Sequence, residues 1–216
     1  MNTASTEKAM DLTAFRLWLR VRQVPLVLTV LGLITLVGGL WGSELIPLPP
    51  IRGFGGVVGL TWFAPVFAAC AVALTLASPF EDREAISARR TRARTVALAT
   101  SLTVLAALLM VLMTQVEGGT HSASQLVAGL MYWTSLALVS ARLFGPGLAW
   151  ALPTGAVVPV VMFGLATTEG TRFVWWALPV SPGSAAAIAL GAGMYLLGLG
   201  FWSLSPHRLR KLGWHW

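Results

Sequence analysis

Charge is what this chain has least of. Asp, Glu, Lys and Arg make up 11% of its 216 residues against 56% hydrophobic ones, a balance that excludes an ordinary soluble domain. Acids are the scarcer sign, 8 against 15 Lys and Arg, and none lies inside a long apolar run. Proton or sodium coupling needs a titratable or coordinating group at membrane depth, so the composition argues against an ion-coupled transporter. With a single cysteine, Cys70, no intrachain disulfide is available; its position inside an apolar run reads as a small core residue. Catalytic signatures are missing too: no H-E-x-x-H, no G-x-S-x-G, no G-x-x-x-x-G-K-[ST] for a nucleotide, and no histidine and carboxylate spacing that would hold zinc. His121, His207 and His215 have no visible partners and read as solvated surface histidines. No catalytic residue, metal ligand or cofactor is therefore assigned to this chain, and it is not expected to be an enzyme.

What the chain has instead is apolar length. An α-helix needs about 20 apolar residues to cross a hydrocarbon core of about 30 Å, and runs of that kind fall at about 24–43, 56–77, 95–114, 124–143, 147–167 and 184–203. The expected fold is all-α: a six-helix transmembrane domain over 24–203, a cytoplasmic arm at 1–23 and a cytoplasmic tail at 204–216. Of the 15 Lys and Arg, only Arg52 and Arg172 lie outside the arm, the 78–94 loop, the Arg142 turn and the tail. The positive-inside rule then puts both termini in the cytoplasm. The net charge of +7 fits topology and lipid headgroups; no basic-aromatic surface recurs along one domain, and nucleic acid is not an expected partner. The first run follows a long polar arm and exceeds an ordinary signal-peptide core, so it reads as a retained helix.

Two polar segments carry patterns of their own. In DLTAFRLWLRVRQ, residues 11–23, Leu12, Phe15, Trp18 and Leu19 recur at helical spacing while Thr13, Arg16 and Arg20 fall on another face. This suits a helix lying in the inner headgroup layer, with Arg16 and Arg20 towards anionic lipid and Trp18 at the boundary. Pro25 marks a break from the first span; a simple extension of that span is the alternative. The second segment, SPFEDREAISARRTRART at 78–95, opens on a capping box with Ser78 at N-cap, Pro79 at N1 and Glu81 at N3. Glu81, Asp82 and Glu84 crowd its first turn and Arg89, Arg90, Arg92 and Arg94 come late, as the helix dipole favours. The expectation is a short helix beneath the membrane. Topology sorting accounts for Arg92 and Arg94 but does not call for the acids, so the two-signed helix reads as a docking element for a soluble protein.

Three further features concern the spans. Between the fifth and sixth runs, EGTRFVWWALPVSPGS clusters Phe173, Trp175 and Trp176 with Pro179 and Pro182, which suits a short re-entrant or surface-lying segment or a plain aromatic belt on the outer side. Pro153 and Pro159, with Gly155 and Gly164, predict a kinked fifth helix, a candidate for lining a pathway. Ala185, Ala189 and Gly193, with Ala187 and Gly191 beside them, predict close helix approach within the chain or across a dimer.

The amphipathic arm (Asp11 to Gln23), the six runs, the charged segment (Ser78 to Arg94) and the broken outer segment (Glu169 to Ser184) together resemble the transmembrane subunit of an ABC transporter of the ABC-2 exporter type. The resemblance covers nearly the whole chain and lies in layout; the Gly-rich, Ala-rich, Arg-over-Lys composition resembles that of actinobacterial proteins. It implies a multi-pass protein of the bacterial cytoplasmic membrane, paired with a second transmembrane subunit, identical or related. A separate ATP-binding cassette subunit would bind ATP and Mg and dock against a coupling helix at Glu81, Asp82, Arg83 and Glu84. The cargo would be amphipathic or hydrophobic, such as a peptide, antibiotic or lipid-like molecule, with Trp62, Tyr132, Trp133, Pro153, Pro159, Met162 and Phe163 as pathway candidates. The family commonly carries a glutamate followed by glycine near this helix; here Ala85 follows Glu84, and no glycine occurs between residues 60 and 117. The rival reading is a non-transporting membrane scaffold that recruits a cytoplasmic partner through the 78–94 loop. A membrane enzyme assembled from distant loops is a third.

Overall fold

Proline and glycine set where the helices begin and end. The computed structural model describes residues 16–47, 57–77, 88–116, 122–168, 175–180 and 183–203. A helical stretch over 16–21 closes in a turn where Gln23 takes a left-handed backbone, φ 55°. Helix α1 (Val24–Trp41) starts directly after it, with Pro25 in its first turn, where a missing N–H costs nothing. The break expected at Pro25 is there. Strand β1 (Leu45–Pro47) then pairs antiparallel with β2 (Val57–Gly59), Ile46 opposite Val58, and a 3-10 turn (Leu60–Phe63) leads into α2 (Ala64–Leu74). The remaining helices are α3 (Ala88–Val116), α4 (Ala123–Phe144), α5 (Ala151–Thr168) and α6 (Ala185–Ser203). A 3-10 turn (Pro146–Leu148) precedes α5 and a 3-10 helix (Trp175–Val180) precedes α6. Helix α4 stops at Gly145, whose φ of 89° suits a residue without Cβ. Helix α6 is capped by Ser184, whose hydroxyl accepts from the Ala187 amide at 3.1 Å.

Among the described residues four stretches are long and apolar enough to cross a membrane: Val24–Trp41, Ala93–Val116, Ala123–Phe144 and Ala185–Ser203. They coincide with the first, third, fourth and sixth apolar runs. The second run, expected as one helix over 56–77, is divided instead: Val57–Gly59 is strand, Leu60–Phe63 is 3-10, and α2 has 11 residues. At 1.5 Å per residue α2 reaches about 17 Å, short of a hydrocarbon core. Pro65 in its first turn cannot sit deeper in a helix, because its ring blocks the carbonyl one turn earlier. The β-branched Val57 and Val58 pair with β1 rather than extend α2. The fifth run likewise splits into the 3-10 turn at Pro146 and α5, which contains Pro159. The arginines of the charged segment differ from expectation as well. Arg89, Arg90, Arg92 and Arg94 belong to α3, continuous with the third apolar run over 29 residues, rather than closing a separate short helix; arginine and alanine propagate a helix readily. The capping box at Ser78 to Glu81 lies outside the described residues.

Helix α4 is central. Leu126, Ala128, Leu130, Trp133, Ala137 and Leu138 on it are buried, with α2, α3, α5 and α6 packed around them. Helix α1 buries Val24, Val27, Leu31 and Gly38 and packs Val30 and Ile34 against the core, while Leu26, Leu33, Leu36 and Leu40 are exposed. An apolar surface of this extent is a liability in water and ordinary against lipid. Two of the buried hydroxyls are satisfied along their own helices, Thr103 donating to Ala99 O and Thr134 to Leu130 O, both at 2.8 Å, as hydrocarbon requires.

Candidate functional site

The helix directions decide which polar ends meet. Gly38 and Gly39 near the end of α1 lie against Met113 and Val116 near the end of α3, so these two helices run the same way. One buried cluster joins Leu76 beyond α2, Ala99 near the start of α3, Ala141 near the end of α4 and Ala149 before α5. The start of α1, the exit of α2, the start of α3 and the α4–α5 turn therefore share one end of the bundle. Every arginine among the described residues sits there: Arg16, Arg20, Arg22, the four from Arg89 to Arg94, and Arg142. The one acid among the described residues, Glu44, follows α1 at the opposite end.

At the basic end the organising side chain is Arg22. It is 2% exposed, and its Nη1 donates to the carbonyls of Thr75 at 3.2 Å and Leu76 at 3.3 Å. These carbonyls lie just past α2, where a helix leaves acceptors unpaired and carries negative partial charge. The backbone there is already tightened by bonds from Thr75 N to Val72 O and from Leu76 N to Ala73 O. The Trp18 ring lies 5.8 Å from the guanidinium, a cation–π contact that helps offset the loss of water. The helix over 16–21 is thus tied to the exit of α2, two residues before the 78–94 segment begins. On that helix Arg16 and Arg20 are exposed and Trp18 and Leu19 half-buried, the segregation expected from helical spacing. Nearby, Ser140 Oγ donates to Leu148 O at 2.7 Å and accepts from Leu152 N at 3.3 Å, fixing the α4–α5 turn beside Arg142.

Arg22 was not among the sequence candidates. Its signal was present: an arginine two residues before an apolar run, four after a tryptophan, the spacing at which two helical side chains meet. The coupling candidates Glu81, Asp82, Arg83 and Glu84 lie outside the described residues, as does Phe173. Trp175 and Trp176 open the 3-10 helix. That helix is packed into the bundle, with Ala177 and Leu178 fully buried and Pro179 at 3.6 Å from where a Cβ of Gly129 would stand.

The pathway candidates occupy different surroundings. Tyr132 and Trp133 are buried in the α4 core, stacked edge to face at 5.0 Å between ring centroids. Trp62 is half-buried in the 3-10 turn, Pro153 is buried on α5, Pro159 and Phe163 are exposed, and Met162 lies in α5. Among the described residues an apolar hollow of about 190 Å³ lies between α1 and α2, lined by Leu33, Val37 and Phe67, and one of about 580 Å³ lies beside α4 and α6, lined by Val139, Met194 and Phe201. Among the described residues no group of three or more His, Cys, Asp or Glu side chains is placed to hold a metal.

The fold and its charge distribution fit a multi-pass α-helical membrane protein with one basic, arginine-organised end. No protein-family model, curated protein or solved structure matches the chain.

Proposed function

We propose that this chain is the transmembrane subunit of an ATP-driven exporter of the ABC-2 type, moving an amphipathic or hydrophobic molecule across a bacterial cytoplasmic membrane. The basic end faces the cytoplasm, both termini lie there, and all six apolar runs cross or enter the bilayer. A separate ATP-binding subunit, carrying ATP and Mg, docks on Glu81, Asp82, Arg83 and Glu84, and a second transmembrane subunit completes the pathway. Lipid surrounds the spans and holds the exposed Arg16 and Arg20 at its headgroups.

The observation that supports this reading most is the contact of Arg22 with the carbonyls of Thr75 and Leu76. It joins the membrane-surface arm to the point where the chain leaves for the docking segment, so a force applied to that segment reaches both α2 and the arm. Chemistry within the chain is not required, because the work is done by closure of the partner.

A scaffold that recruits a cytoplasmic protein without transport is the second reading. The burial of Tyr132 and Trp133 in the α4 core favours it. Co-purification separates the two. The tagged protein is drawn from its native membrane in mild detergent, beside Glu81→Lys/Glu84→Lys, and ATP hydrolysis by the eluate is measured. An ATPase subunit that accompanies the wild type and is lost from the charge-reversed variant supports the exporter; a partner without ATPase activity, or none, defeats it.

A further inference from the structure

The outward face of α3 starts with a charge and continues apolar. Arg94, Ala97, Ser101, Val104 and Leu108 are all exposed and follow one another at steps of three and four residues, so they form one column along the helix. The side chains next below Arg94 are small, and Ser101 turns its hydroxyl back to Ala97 O at 2.8 Å. Val104 and Leu108 then restore bulk, 54% and 62% exposed. Arg94 and Leu108 are 14 residues apart, about 21 Å at 1.5 Å per residue, which matches the depth of one leaflet with its headgroups, about 20 Å. Among the described residues the charge at the top of the column is unopposed. Arg16 and Arg20 on the arm are exposed at the same end, Arg89, Arg90 and Arg92 lie in the first turns of α3, and the one described acid, Glu44, is at the other end. The arm and α3 are linked through α2, because Arg22 reaches Leu76 O and Leu76 shares a buried cluster with Ala99, five residues on from Arg94. A cluster of arginines at the cytoplasmic start of a spanning helix attracts anionic headgroups, and a guanidinium fits a phosphate with two parallel bonds. A soluble acidic partner would use the arginines and leave the apolar column bare; a phospholipid uses both.

We infer that the Arg94 column of α3 is a seat for an anionic phospholipid of the cytoplasmic leaflet. The phosphate lies at Arg94, within the field of Arg16 and Arg20, and one acyl chain runs over Ala97, Ser101, Val104 and Leu108. The arginines late in the charged segment then serve lipid, and the acids before them serve a protein. A seated phospholipid ties the start of α3 to the membrane surface where the chain arrives from the 78–94 segment. The inference rests on the basic end facing the cytoplasm, where anionic lipid gives the leaflet its negative potential, and it holds for an exporter and a scaffold alike.

The test uses the full chain in phosphatidylcholine nanodiscs that carry a trace of spin-labelled phosphatidylglycerol, which is anionic, or of spin-labelled phosphatidylcholine, which has no net charge. The motionally restricted fraction of each label gives their relative affinity for the protein. The wild type is expected to prefer phosphatidylglycerol, and Arg94→Gln should cut that preference about fivefold, the scale of one arginine at an anionic surface. Ser101→Trp keeps every charge and fills the column with a bulky ring; it should cut the preference as well, and because residue 101 is exposed the helix tolerates it. Both faces of a nanodisc have the same composition, so an inverted orientation of the chain would leave this readout unchanged, and failure here bears on the seat alone. Equal affinity of the wild type for the two lipids overturns the inference. So does a preference that Arg94→Gln weakens and Ser101→Trp leaves intact, because lipid is then attracted to the basic end without being seated on the column.

Discussion

Gly198 on α6 sits so close to Ser135 on α4 that a Cβ on the glycine would stand 2.9 Å from the serine Oγ. The same Oγ donates across to Met194 O at 2.8 Å. Two turns earlier Gly191 repeats the approach, where a Cβ would stand 3.0 Å from Ala128 O. In hydrocarbon, helices gain little from hiding apolar surface from lipid, and close backbone packing with an occasional buried hydroxyl has to hold them together. The seam between α4 and α6 has both.

This seam separates the two faces of α6. Gly191→Leu forces side-chain carbons into the α4 backbone and is expected to lower stability by about 1–3 kcal/mol. Ser135→Ala loses one interhelical bond, about 0.6 kcal/mol. Gly193→Leu should be neutral, because nothing lies within 4 Å of its Cβ position. Thermal unfolding in detergent ranks the three; equal losses for Gly191→Leu and Gly193→Leu would show that α6 packs on another face.

The segment before α6 gives a second prediction. Leu178 is fully buried beneath the 3-10 helix, so Leu178→Ala leaves a cavity worth about 2–5 kcal/mol, enough to detach a short element. Amide exchange over 175–180 should accelerate strongly while α3 stays protected. If the segment merely floats at the interface, exchange there is fast already and the substitution changes nothing.

A third concerns the hairpin. Thr61 Oγ1 donates to Gly42 O at 2.7 Å, and Leu60 N donates to Glu44 O at 3.0 Å, tying the end of α1 to the start of α2. Thr61→Val keeps the shape and loses the buried bond, so stability should fall by about 1 kcal/mol, with Thr61→Ser retaining most of it. Detergent-melt midpoints for the two variants give the comparison.

Where the chain is uniformly apolar and free of proline, sequence and structure agree closely: 124–143 against Ala123–Phe144, and 184–203 against Ala185–Ser203. Agreement fails at 56–77 because apolarity does not distinguish a strand from a helix, and the pairing of Val57 with Pro47 is a tertiary fact that no local pattern encodes. The arm was legible as far as Arg16, Trp18 and Arg20, since helical periodicity alone sorts their faces. Arg22 was not, because the backbone carbonyls it reaches lie more than fifty residues away. Tyr132 and Trp133 fill the centre of α4, a burial that aromatic size does not distinguish from a place beside a pathway in the sequence alone.

Everything proposed rests on the arginine-bearing end facing the cytoplasm, and side-selective labelling measures that directly. In a Cys70→Ala background, single cysteines replace Leu17 or Phe144 at the basic end, or Leu45 in β1 at the other; all three positions are at least half exposed. Intact cells are treated with a membrane-impermeant maleimide before and after permeabilisation. The account predicts labelling at position 45 from outside, and at positions 17 and 144 only once the membrane is opened. The reverse pattern would turn the basic end outward, beyond the reach of any ATP-binding or cytoplasmic partner, and would contradict both readings of the protein.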